Sequence, residues 1–369
     1  MFLEYHTTSA AQTIELGKQL AQRLTGGDTV LLSGDLGSGK THFIKGLAQG
    51  LGIFMTIKSP TYAYVNQYPI QKSGLRNQDS EISRGKMVFH HYDLYRLNAG
   101  DDFSSIGLEE SLSDPQAINA VEWAERLEGQ YPQRTVSVNL SGAGDDRIVR
   151  IEFQSPTVLG ENSIEAYYEE WATPPNVRQH CRRVAQVSMT IAQAYARKGE
   201  ILNSTLLYVG ALLHDMARVC DFRSMERSSF KVPISDDQWN QWLKLREIHK
   251  GEKHAFIAHE QLMSRGFTET ATLIRSHEAD LLVLEPDNYD TLEKKILYYA
   301  DKRVKHDEVV DLAERFRDGR ARYGDGDTPE QKKLYRDVEF YSMALEKSLF
   351  DGLDIRPDDI TSERLWSPY

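Results

Sequence analysis

The octapeptide GDLGSGKT at residues 34–41 constrains this chain more than any other stretch, because it fits G-x-x-x-x-G-K-[ST] without deviation. The pattern has the chemistry of a phosphate cradle. Gly34, Gly37 and Gly39 let the backbone wrap close to an anion. The N–H groups from Gly34 through Asp35, Leu36, Gly37, Ser38 and Gly39 to His42 face it, together with the helix N-terminus that follows. Lys40 reaches the terminal phosphates, and the Thr41 hydroxyl can ligate Mg²⁺. The context agrees: DTVLLSG reads as a short buried strand and KTHFIKGLAQGLG as a helix. Such a loop needs a carboxylate near the magnesium and a group that prepares the attacking water. Asp93 in FHHYDLYRL and Glu122 in INAVEWAER are the candidates. On spacing alone, a strand-capping carboxylate, or one paired with Arg96, stays open for each.

The first ~155 residues alternate α and β patterns. An amphipathic helix is expected near 9–24, and strands at TYAYVNQY, MVFHHYDLYR, AINAVEW, RTVSVNL and RIVRIEF. The last two flank SGAGDD and read as a hairpin. SGLRNQDSEISRGK, residues 73–86, has no apolar period and reads as a loop or insert. From Pro174 onward helical periods dominate. Val177, Cys181, Val184, Val187 and Ile191 mark one inner face. STLLYVGALLHDMARV is apolar almost all round and reads as one central helix, residues 204–219. More helices are expected near 236–247, 252–265, 268–278, 289–305 and 329–349.

The chain's 369 residues suit two domains better than one core. The reading is an α/β P-loop NTPase fold over 1–156, a linker over 157–173, an all-α domain over 174–310, and a helical extension over 311–369 set off by RYGDGDTPEQ. The formal net charge of −11 argues against a broad basic surface that grips nucleic acid, while leaving room for a local basic patch or for action inside a complex. No apolar run approaches the roughly 18–20 residues of a membrane span. The start, MFLEYHTTSA, lacks signal-peptide regions. Cys181 and Cys220 are the only cysteines and have no metal-type spacing, so a reducing cytoplasm is expected.

GDLGSGKTHFIKGLAQGLGI, KSPTYAYVNQY, HHYDLYRL, GLEE and AVEWAERL occur in this order within residues 5–153. Together they closely resemble the TsaE (YjeE) family, the small ATPase of bacterial tRNA threonylcarbamoyladenosine synthesis. The resemblance implies that ATP/ADP and Mg²⁺ bind at Lys40 and Thr41. It makes Ser59, Pro60 and Thr61 a nucleotide-sensing segment. It makes Asp93 the family's essential aspartate, Glu122 its Mg²⁺-linked glutamate, and Trp123 an aromatic near the nucleotide. The implied partners are the proteins that transfer the threonylcarbamoyl group, with tRNA engaged indirectly through them. The insert at 73–86 departs from the family pattern.

Seven of the 11 histidines fall at or after position 180. His180, His254, His277 and Asp301 share helix faces with apolar residues and so point inward, whereas His259 lies on a flank and His249 near a loop. A lone inward histidine is usually a core residue; several with acids suggest a metal site. The order His180, His214-Asp215, His254, His277, Asp301 resembles the HD-domain metal-dependent phosphohydrolases. The resemblance implies an all-α HD fold. One divalent metal would sit on His180, His214, Asp215 and Asp301, and His254 and His277 would complete a second. The donor types suit Fe, Mn, Mg, Co or Ni. His214 and Asp215 would carry the catalysis. Arg218 is open to two readings, a phosphate contact or an ordinary helix-end cation. His306-Asp307 repeats the dipeptide on a polar stretch and reads as surface.

The joint expectation is a bifunctional fusion: an ATPase serving tRNA modification, joined to a hydrolase of a nucleotide or small phosphate ester. The alternative is an ATP-controlled interaction protein whose second half binds metal or nucleotide without catalysis.

Overall fold

The structure is a computed structural model that describes residues 1–60, 63–70, 87–98, 101, 103–129, 131–223, 225–230, 233–324 and 326–367. Thr61 and the 73–86 insert lie outside the described residues. The chain divides into two compact units, Met1–Ser155 with Tyr195–Ile201, and Pro156–Ala194 with Leu202–Tyr369. No helix among the described residues is long and apolar enough to cross a membrane.

The first unit is a mixed sheet with helices. Its elements are β1 (Leu3–Thr7), α1 (Ala10–Ala21), β2 (Thr29–Ser33), α2 (Lys40–Gly50), β3 (Val65–Pro69), β4 (Val88–Asp93), α3 (Leu108–Ser113), β5 (Ala117–Glu122), β6 (Thr135–Ala143) and β7 (Asp146–Gln154). The sheet order is β1-β7-β6-β2-β5-β4-β3. β2 pairs in parallel with β5 and β6, which explains its continuous apolar run: both of its faces are covered. β6 and β7 form the expected hairpin, closing at Ala143 opposite Asp146. β1 was not expected. It alternates Leu3, Tyr5 and Thr7 inward and caps the sheet edge against β7. α1 begins at the Ser9 cap, whose side chain accepts from the Gln12 amide. α1 and α2 cross at glycines: a Cβ on Gly17 would meet the Phe43 carbonyl at 2.2 Å, and one on Gly46 the Ile14 carbonyl at 1.9 Å. In register, Leu32 of β2 stands beside Glu122, and Glu122 beside Asp93 of β4. The strand ends therefore bring both acids level with the loop that leaves β2.

The second unit is helical: α4 (Ile164–Glu170), α5 (Pro175–Arg197), α6 (Ser204–Leu213), α7 (Asp236–Ile248), α8 (His254–Ser264), α9 (Thr268–Arg275), α10 (Leu281–Leu284), α11 (Leu292–Lys302), α12 (Leu312–Tyr323) and α13 (Pro329–Leu349). The stripe Val177, Cys181, Val184, Val187, Ile191 on α5 is buried, each residue at 5% exposure or less. α6 differs from the expected 204–219 helix by stopping at Leu213, with His214 as its cap. The reason is competition for carbonyls. The Tyr168 hydroxyl takes the Leu212 carbonyl, and the His214 ring takes that of Ala211. Beyond them the backbone tightens into three-residue bonds, Met216 to Leu213 and Arg218 to Asp215. Asp215 thus leaves the helix at its end.

Two further stretches differ from the sequence reading. Residues 157–173 are no free tether: they include α4, and the Leu159 amide donates to Thr270 Oγ1 at 3.0 Å. The extension is likewise packed into its unit, with Tyr298 Oη 2.8 Å from Ser342 Oγ and Tyr299 donating to Glu346 at 2.6 Å. After α11 the chain forms a short hairpin, β8 (Val304–Lys305) and β9 (Glu308–Val309), where helix was expected to reach 305.

Candidate nucleotide site and candidate metal centre

Gly34, Gly37 and Gly39 all adopt left-side φ values, +132°, +84° and +105°. Only glycine does so freely, so the cradle is set by the sequence. A Cβ on Gly34 would also strike the Leu140 carbonyl at 2.1 Å. Lys40 begins α2 and folds back, donating to the Gly34 and Asp35 carbonyls at 2.6 and 3.0 Å. Its ammonium lies 4.0 Å from the centroid of the Trp123 ring. Burial pushes Lys40 down from its ordinary value, against the opposing pull of Glu122, Glu125, Asp93 and Asp35. Burial, with Lys45 and Arg147 nearby, also pushes the His42 imidazole down. Leu36 is exposed at the loop tip and Ser38 is buried.

Thr41 Oγ1 donates toward Glu122 at 3.4 Å. A magnesium ligand pair would be drawn from these two. Glu122 Oε1 is 2.9 Å from His91 Nε2, and both side chains are buried. Asp93 accepts from the Ser59 hydroxyl and from the Tyr95 amide, the latter at 3.1 Å. The structure thereby joins the S-P-T segment to the aspartate, although Thr61 itself is not described. Trp123 holds a left-handed backbone, φ 62°, a conformation that costs an L-residue about 1–2 kcal/mol. Its ring centroid lies 5.0 Å from that of Tyr95, with the two planes tilted by 47°. His91 lies inside the HHYDLYRL block, but the sequence reading assigned a role in that block to Asp93 alone.

In the second unit the structure brings together all six expected metal ligands. His180 comes from α5, His214 and Asp215 from the end of α6, His254 from the start of α8, His277 from just after α9, and Asp301 from α11. Two sets of donor atoms lie within 4.8 Å of one another: His180, His214 and Asp215, and Asp215, His254 and His277. Asp215 belongs to both. Its Oδ1 is 2.8 Å from His254 Nε2, 3.5 Å from His277 Nε2 and 3.9 Å from His214 Nε2. Asp301 Oδ1 is 3.1 Å from His180 Nε2 and 3.5 Å from His214 Nε2.

The imidazoles share one design. Nδ1 of His180 meets the His306 carbonyl at 2.9 Å, that of His214 the Ala211 carbonyl at 2.8 Å, that of His277 the Ile274 carbonyl at 2.6 Å, and that of His254 Asp221 Oδ2 at 2.7 Å. With each Nδ1 held from behind in this way, every Nε2 faces the enclosed space between the helices. His214 Nε2 is buried without a hydrogen-bond partner, and the Nε2 atoms of His254 and His277 face each other at 2.9 Å. That arrangement fits divalent cations. Burial would raise Asp215, but His254, His214 and His277 hold it well below the usual carboxylate range. Burial likewise opposes ionisation of Asp301, and Lys302, His180 and His214 hold it well below. Burial pushes His277 down; His214 is held well above its ordinary value against burial, by Cys181, Asp215 and Asp301, and His254 is raised against burial and Arg218, by Asp215 and Asp221.

Arg218 is engaged within the protein: Nη1 is 3.3 Å from Asp221 Oδ1 and 2.9 Å from His254 Nδ1. His249 and His259 belong to neither set. Asp221, Lys302 and the His306 carbonyl were missed from sequence. Lys302 Nζ takes the other oxygen of Asp301 at 2.6 Å. The second His-Asp pair lies on the β8–β9 turn with the His306 side chain exposed, yet its backbone orients His180.

A family model described as "Threonylcarbamoyl adenosine biosynthesis protein TsaE" matches residues 7–149, and one described as "HD domain" matches residues 177–304. Three proteins named tRNA threonylcarbamoyladenosine biosynthesis protein TsaE align with this chain. That of Bacillus subtilis (strain 168) is 34% identical over 144 residues, 39% of this chain and 80% of the relative. That of a Synechocystis species is 38% identical over 138 residues, 34% and 72% respectively. That of Treponema pallidum (strain Nichols) is 34% identical over 137 residues, 37% and 90% respectively. A solved structure, "Crystal structure of Bacillus subtilus YdiB", is 28% identical, covers 41% of this chain and 84% of its own, and has a TM-score of 0.30. The sequence identities and the ordered motifs, on a sheet that carries the phosphate loop, place this chain in the TsaE family through its first domain, with an HD domain fused behind it.

Proposed function

We propose that the first domain is an ATPase serving threonylcarbamoyl transfer to adenosine 37 of tRNA, acting with the proteins of that transfer complex. The observation that supports it is the convergence of Lys40, Thr41, Glu122 and Asp93 on one loop, fed by strands in parallel register. Lys40 would leave the Gly34 and Asp35 carbonyls for the terminal phosphates. Glu122, held by His91, would stay aimed at the Thr41 hydroxyl. Asp93 and Ser59 would couple the nucleotide to the segment around Pro60. Mg²⁺, when bound there, would neutralise phosphate charge. The test is ATP turnover with the transfer proteins added. Lys40→Ala is expected to lose at least tenfold; unchanged turnover would sink the reading.

The second domain, on this reading, is a metallo-phosphohydrolase for a nucleotide or small phosphate ester, using one or two divalent ions. The observation that supports it is the outward anchoring of four Nδ1 atoms around two ionised carboxylates. Bound ions would polarise a phosphoryl oxygen and lower the pKa of water. His180, His214, His254 and His277 hold their Nε2 atoms toward that space, and Asp215 bridges the two sets. Metal analysis and a phosphatase screen across nucleotides and metals check this, with Asp215→Ala as control. The second reading, a metal-bearing module without catalysis, draws on Lys302, which leaves Asp301 one oxygen for an ion. Bound metal with no hydrolysis of any substrate in the screen would favour it.

A further inference from the structure

We propose that Arg147 binds the nucleotide, its guanidinium taking the sugar-side phosphate from the flank of the loop opposite Glu122 and Trp123. The inference rests on the reading of GDLGSGKT as a nucleotide loop. Arg147 lies on β7, is 7% exposed, and has an Nε atom with no hydrogen-bond partner. Its side-chain bond runs from Nη1 to the Asp145 carbonyl at 3.0 Å, and no acid pairs with it among the described residues. A guanidinium withdrawn from water is strongly unfavourable without compensating partners. Arg303, equally deep in the second unit, shows what a structural arginine gathers. It donates to the Tyr299 hydroxyl and to the carbonyls of Val310, Pro357 and Ile360, with Glu346 at 3.7 Å. Arg147 has one such acceptor.

The side chain is laid against the loop itself. A Cβ on Gly39 would come within 2.7 Å of Arg147 Nε and 3.0 Å of its Cδ, and Gly39 caps the N-terminus of α2. Ser38 Oγ, 2% exposed in the same loop, is a second polar atom without a partner. Both await an anion. The sheet order fixes the side of approach. β2 has β5, with Glu122, on one flank and β6 then β7, with Arg147, on the other. Lys40, Thr41 and Glu122 claim the terminal phosphates and magnesium. A cation on the far flank is left the phosphate next to the sugar, where it grips nucleotide without touching the bond that breaks.

The test is titration of the full-length chain with Mg·ADP, alongside Tm without nucleotide and ATPase kinetics with the transfer proteins. Arg147→Gln is expected to weaken ADP about tenfold or more and to raise KM far more than it lowers kcat. Its nucleotide-free Tm should stay level or rise, because an under-partnered buried cation has gone. Arg147→Lys, which keeps the charge but not the fork, should bind with intermediate affinity, and serves if the Gln variant does not fold. Wild-type ADP affinity in Arg147→Gln would overturn the proposal. So would a lowered nucleotide-free Tm with affinity unchanged, which marks a purely structural arginine. If the wild-type chain binds no ADP, the loop reading itself fails. If Lys40→Ala alone loses binding, only the role of Arg147 fails.

Discussion

The Nε2 atoms of His254 and His277 face each other 2.9 Å apart, while the Nδ1 atom of each ring is held from behind, one by Asp221 and the other by the Ile274 carbonyl. His254 and His277 hold that arrangement because Asp221 and the Ile274 carbonyl fix the orientation of their rings. Asp221 is therefore a positioning residue. Asp221→Asn is expected to cost 10–100-fold in metal affinity, measured by competition with a chromophoric chelator. The six candidate ligands could be picked out in sequence because each lies on an inward helical period or beside one, in an order that resembles a known family's. Their supports could not. Asp221 follows the motif by six residues and looks like any surface acid, and a backbone carbonyl such as that of His306 has no sequence signature at all. His91 stands inside a quoted block, yet its role appears only when β4 and β5 align it with Glu122.

Among elements, the α1–α2 crossing is the most sharply determined contact. Gly17 and Gly46 each face a carbonyl of the opposite helix, so neither has room for a methyl group. Gly46→Ala should push α2 from α1 and destabilise the first domain by about 1–3 kcal/mol, read as a lowered urea midpoint. Because α2 starts at Lys40, ADP affinity should fall with it. Long apolar periods made α5, α8 and α13 legible. β1 was overlooked because five residues beside a helix start give little periodicity, although Leu3, Tyr5 and Thr7 do alternate. α6 is shorter than its apolar run implies because apolar composition cannot report that the Tyr168 hydroxyl and the His214 ring claim its last carbonyls.

At the scale of the molecule, two units with separate ligands should respond to them separately. Mg·ADP should raise one calorimetric transition and a chelator should lower the other. A single transition shifted by both ligands would count against independent units. The change from α/β to helical patterns is visible in sequence, but periodicity could not show that 157–173 and the extension pack into the second unit. That depends on pairs such as Leu159–Thr270 and Tyr298–Ser342, each remote in sequence.

The turn at His306 carries one more consequence. Its φ of 59° is what points the carbonyl at His180, and no side chain is needed for that bond. The exposed tip of a hairpin is therefore a tuning screw for the proposed metal site, indifferent to polarity but sensitive to backbone shape. His306→Asn, at ease in the left-handed region, should leave metal content intact. His306→Val, which resists it, should loosen His180 and lose metal, though neither replaced side chain touches the ion.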